Sequence, residues 1–81
     1  MMATQSLPTV RVLADGRVVI GIGMVVGQVR GRHRCWTARS PTGVGGGQYA
    51  TRIDAIRGLA RAMGYSVRRD GNRLVAEQMR P

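Results

Sequence analysis

The chain has 81 residues, 12 of them glycine, and 13 basic side chains oppose 4 acidic ones for a formal net charge of +9. A chain this short makes one domain with a small core, and 43% hydrophobic with 21% charged residues is a globular composition, not a disordered one. One cysteine beside one histidine excludes a disulfide scaffold and a zinc finger within a single chain.

Residues 1 to 8 carry no periodic pattern and read as a disordered end without the features of a signal peptide. Val10–Leu13 and Arg17–Ile20 flank Ala14-Asp15-Gly16, and Asp-Gly between β-branched runs is a strong hairpin signal. The second strand is expected to run on through Ile22, Met24, Val25, Val26 and Val29, bent or bulged at Gly21, Gly23 and Gly27. This apolar run is about half the ~20 residues of a spanning helix, so no membrane segment is expected and the default location is the cytoplasm.

A turn near Arg30-Gly31-Arg32 leads into the strand Arg34–Arg39, where alternation puts Trp36 and Ala38 on one face and Thr37 and Arg39 on the other. Ser40 to Gly47 reads as a flexible turn, and Gln48-Tyr49 as a short closing strand. Thr51 is placed to cap a helix over 51–63, with Asp54 as the capping-box acid and Ile53, Ile56, Leu59, Ala60 and Met63 at helical spacing. Gly64 stops it, and Gly58 sits on its polar face at a cost of ~1 kcal/mol relative to alanine. Asp70-Gly71 then joins two strands over 65–76; a two-residue turn there pairs Val67 with Leu74, Tyr65 with Ala76 and Arg68 with Arg73.

The predicted architecture is α+β: a small antiparallel sheet of three or more strands packed on one helix, with a C-terminal β-hairpin, in a single domain. Its order is β-rich over 9–49, helix over 51–63 and hairpin over 65–76. Trp36, Ala38, Tyr49, Ile53, Ile56, Leu59, Ala60 and Met63 form the expected core.

No motif supports catalysis or a cofactor. Gly21-Ile22-Gly23 lies inside a β-branched run and does not open a helix, as a dinucleotide fingerprint must. Gly43–Gly47 lacks the Gly-Lys-Ser/Thr ending of a phosphate loop. His33 and Cys35, two apart on a strand, stand ~6.5 Å from each other and lack further metal ligands or an oxyanion site. The four carboxylates are scattered. Neither an enzyme, a metal site nor a small-molecule substrate is expected.

Every cation is arginine. Codon bias of a GC-rich bacterial or phage genome accounts for arginine over lysine, but not for the excess of positive charge, which calls for an acidic partner. Arg30, Arg32, Arg34 and Arg39 cluster in a stretch with no acid between Gly16 and Ile53. Unless an anion lies among them they repel. Arg68, Arg69 and Arg73 form a second cluster, and Arg57 and Arg61 read as solvating charges on the helix.

Trp36-Thr37-Ala38-Arg39, a turn at Pro41, then Gly47, Tyr49, Thr51 and Asp54-Ala55 resembles the three-strand-plus-helix DNA-binding domain of plant ethylene-responsive factors. It is similar also to the arm-site-binding domain of phage tyrosine recombinases. The resemblance covers residues 24 to 63 and implies that Thr37 and Arg39 face the DNA major groove, with Arg30, Arg32 and Arg34 at the end that enters it. Where those families carry arginine and an aromatic on the third strand, this chain has Gly43, Val44 and Gly45. A HicB-type antitoxin, a partial ribonuclease-H-like module, shares the element order but not an obvious excess of positive charge.

The expected function is therefore nucleic-acid binding, to DNA more than RNA, through Arg30, Arg32, Arg34, Thr37 and Arg39, with Arg68, Arg69 and Arg73 as a second grip on phosphates. About five phosphates neutralised imply a log-log salt slope near −4.5. The alternative is an accessory protein that binds an acidic host protein, or forms a homodimer, through the apolar strand Val18–Val26.

Overall fold

A computed structural model describes residues 7–79. They form strands β1 (Thr9–Val12), β2 (Arg17–Ile20), β3 (Met24–Arg32), β4 (Cys35–Arg39) and β5 (Gly47–Tyr49), helix α1 (Arg52–Ala62), and strands β6 (Tyr65–Asp70) and β7 (Arg73–Gln78). The fold is α+β, with one antiparallel sheet ordered β5-β4-β3-β2-β1-β7-β6. The expected end over 1–8 lies mostly outside the described residues. Within it, Pro8 is fixed, its carbonyl accepting a 2.9 Å bond from the Ala76 N–H.

The first hairpin forms where its Asp-Gly signal puts it, with Val12 opposite Val18. The second strand, however, does not continue. Gly21, at φ +69°, begins a three-residue turn that sets Met24 opposite Ile20 and leaves Ile22 in solvent. Positive φ is nearly free for glycine, so the same residue that suggested a bend supports a full reversal. Val26 is the unpaired residue of a bulge in β3, between Val25 opposite Val19 and Gly27 opposite Val18. A Cβ at Gly27 would lie 2.7 Å from Leu59 Cδ2, so glycine lets the helix approach the sheet.

The next turn also falls later than the sequence suggests, at His33-Arg34 rather than Arg30–Arg32. Arg32 pairs with Cys35, and the Trp36 indole N–H donates to the His33 carbonyl at 2.8 Å, bracing a left-handed His33. In the C-terminal hairpin the two loop residues are Gly71-Asn72, so Val67 pairs with Ala76, Arg68 with Val75 and Asp70 with Arg73. Arg68 and Arg73 are therefore not cross-strand partners. This register places Val67 and Ala76 together in the core and sets a carboxylate opposite Arg73, where the other register opposes two guanidiniums.

Helix α1 begins at Thr51, whose hydroxyl accepts from the Asp54 N–H at 3.1 Å, and ends at Met63 and a left-handed Gly64. It touches β6 on one side and β3, β4 and β5 on the other. Yet β5 and β6 are opposite edges of the sheet. Laid flat, seven strands would hold those edges roughly 29 Å apart, while a helix is about 10–12 Å across. The sheet therefore curls around the helix, giving a concave apolar face and a convex face that carries most of the outward arginines, with Val19 and Val75 buried among its side chains. Val10, Val18, Ile20, Val26, Val29, Ala38, Val67 and Ala76 meet Ala55, Ile56, Leu59 and Ala60 inside. Met63, expected in this core, is a half-exposed C-cap, and Ile53 is only partly buried.

Two glycine-rich features also differ from expectation for one reason. The Tyr49 ring lies against Gly58, whose missing side chain makes the space, and its hydroxyl donates to the Gly45 carbonyl at 2.9 Å. Gly45 in turn abuts the helix, where a Cβ would sit 2.7 Å from the Gly58 carbonyl. Gly58 is therefore on a packed face, and the loop before β5 is held against the helix at Gly45.

Candidate nucleic-acid interface

Directly opposed residues in antiparallel strands share a face, so the register assigns every arginine a side. Val29 pairs with Ala38, and Gly31 with Trp36, on the concave side. Between them, Arg30 pairs with Thr37, Arg32 with Cys35 and Gln28 with Arg39 on the convex side. Thr37 continues the row to Gln48 of β5. The structure thus gathers Arg30, Arg32, Thr37 and Arg39 on one exposed surface, with Arg34 in the turn at its tip. Gln28, Gln48 and Cys35 share that surface, which sequence reasoning did not include; the alternation of β3 and β5, once the turns are placed, would have found them.

The remaining candidates lie elsewhere. Arg68 and Arg73 are on the convex face but three to five strand intervals away, beside Arg11, and line an open groove of about 840 Å³ with Asp70, Ile22 and Val75. Arg69 pairs with Leu74 and points to the concave side, beside Arg52 and Ile56 of the helix. Arg11 was not singled out from the sequence, although its position between inward Val10 and Val12 marks it as outward.

Few of these charges are neutralised within the protein. Among the described residues the one ion pair is Arg17 Nε to Asp15 Oδ2, 2.6 Å. The Arg17 backbone N–H and then its guanidinium hold the Asp15 carboxyl below its ordinary range. No side-chain hydrogen bond or ion pair engages Arg30, Arg32, Arg34 or Arg39 among the described residues. Like charges on neighbouring strands, ~4.8 Å apart and without a carboxylate between them, concentrate a positive potential that an anion relieves.

The aromatic residues take no part in this surface. Trp36, Tyr49 and Tyr65, the only three in the chain, all pack against the core. The apolar segment weighed as an interface is largely used up too, since Val18, Ile20 and Val26 are in the core and only Ile22, Met24 and Val25 remain exposed. Among the described residues no helix is long and apolar enough to cross a membrane. No family model, curated protein or solved structure matches the chain.

Proposed function

We propose that this protein binds DNA through the convex surface of β3, β4 and β5. The observation that carries the reading is the shared face of Arg30, Arg32, Thr37 and Arg39, extended by Arg34, with no acidic side chain on those strands. Each guanidinium offers a fork of donors suited to phosphate oxygens or to the O6/N7 edge of guanine, and Thr37 adds a hydroxyl. Beyond the β2 pairing, which stops at Gln28, and the β5 pairing, which stops at Trp36–Tyr49, the Arg32–Cys35 pair and the His33-Arg34 turn project as a two-stranded tip. The B-DNA major groove, about 12 Å wide, admits a two-stranded ribbon.

Phosphate contacts by these four arginines predict a log-log salt slope of about −3.6 for a duplex. Electrophoretic retardation of a random duplex over a salt series measures it. Arg30→Ala/Arg32→Ala/Arg39→Ala should cut the slope by about 2.7 while leaving the thermal melt unchanged. No retardation at low salt would overturn the reading. In a second reading, favoured by exposed Ile22, Met24 and Val25, the chain pairs with itself or an acidic protein at the β2–β3 turn. Light scattering showing a dimer without DNA affinity would select it.

A further inference from the structure

The curl of the sheet divides its outward arginines into two groups. The first is on β3 and β4; the second is Arg11, Arg68 and Arg73, brought together from β1, β6 and β7 around one groove. From β3 and β4 to β7 the sheet crosses three and four strand intervals, roughly 14–19 Å of arc at the usual interstrand spacing. Bent around a helix at a layer separation of about 10 Å, that arc turns the surface normal by roughly 80–110°.

A duplex is stiff over ~150 base pairs, so one lying along β3–β5 runs on straight and leaves Arg68 and Arg73 facing away from it. Nor does a positive track lead around the bend. The convex surface between the groups carries Val19 and Val25, and Arg17 there is occupied by Asp15. The second group is itself a concave site, with Val75 buried within it and Ile22 exposed beside it. Asp70 is its one carboxylate, and no ion pair among the described residues holds any of its three guanidiniums.

We infer that the two flanks are separate DNA sites and that one molecule bridges two duplex segments. This rests on the DNA-binding reading above, which supplies the first site; the second follows from the position of the three-arginine groove. The bridge needs no second copy of the chain, because both sites belong to one curled sheet.

The test immobilises a random-sequence duplex on beads and measures capture of a second, labelled duplex as protein is added. Wild type should capture it. Arg11→Gln/Arg68→Gln/Arg73→Gln should still retard a single duplex but lose capture at least tenfold. Arg11→Lys/Arg68→Lys/Arg73→Lys, which keeps the charge and guards against a folding defect, should retain capture. Retardation of single duplexes by wild type without capture overturns the bridge and leaves the DNA-binding reading standing. Capture that persists in the glutamine variant also overturns it, since bridging would then run through self-association. Absence of any retardation by wild type removes the DNA-binding reading itself.

Discussion

Gly58→Ala should destabilise the protein even though it installs the best helix former in a helix interior. Propensity alone favours alanine by about 1 kcal/mol. Its Cβ, however, would lie 2.6 Å from Tyr49 Cζ and closer still to the hydroxyl. Overpacking of this kind costs about 1–3 kcal/mol, and a ring that moves aside also gives up its bond to the Gly45 carbonyl, worth about 1 kcal/mol. A net loss of about 1–3 kcal/mol is expected, or about 4–8 °C in Tm for each kcal/mol in a domain of this size. The decisive assay is a double-mutant cycle by thermal melts with Tyr49→Leu, which removes the ring atoms nearest the new methyl and keeps an apolar side chain. In that background Gly58→Ala should become stabilising by up to about 1 kcal/mol. A stabilising effect in the wild-type background, or simple additivity of the two substitutions, would refute the reasoning.

Leu59→Ala removes a fully buried side chain that meets β3 at Gly27 and should cost about 2–5 kcal/mol, enough in a small domain to leave most of the chain unfolded by circular dichroism. The pKa of Asp15 is depressed in the folded state, so its contribution is present above the unfolded value near 4 and is lost as pH falls through the lower folded value. Asp15→Asn should accordingly be less stable than wild type at neutral pH, with the difference shrinking as pH falls below the unfolded value, in denaturant titrations. Cys35 is exposed on the proposed DNA face, paired with Arg32, so saturating duplex should slow its alkylation severalfold, and an unchanged rate would argue against contact there.

Much of the architecture can be read from local signals. Asp15-Gly16 marks the first hairpin, and the Thr51 cap, the spacing of Ile56, Leu59 and Ala60, and Gly64 mark the helix, because each depends on residues a few positions apart. The turn at Gly21–Gly23 and the one at His33-Arg34 are less legible. A glycine inside a β-branched run fits a bulge as well as a reversal, and Trp36 braces His33 through an indole bond that alternation does not reveal. The observed register of the second hairpin differs from the expected one by two residues because Asp70-Gly71 and Gly71-Asn72 are both acceptable turns, and burial of Val67 with Ala76 together with Asp70 opposite Arg73 favours the second. At the candidate site, the common face of Thr37 and Arg39 is visible from period-two alternation, whereas Arg30 and Arg32 join it because β3 runs on to Arg32 and turns only at His33-Arg34. The company of Arg11 with Arg68 and Arg73 is not, since it depends on β1 pairing with β7, a contact between residues far apart in sequence.

That pairing bears on how the molecule comes together. Strand β1 occupies an interior place in the sheet, hydrogen-bonded to β2 at once but to β7 only after the helix and β6 have been laid down. During synthesis the early hairpins must wait with one side of β1 unpaired, and that open edge is a template for illegitimate strand addition. Chains interrupted before Arg73 would keep it open for good, so aggregation of such fragments should begin at Thr9 and Val10, while the finished protein conceals those residues in the middle of its sheet.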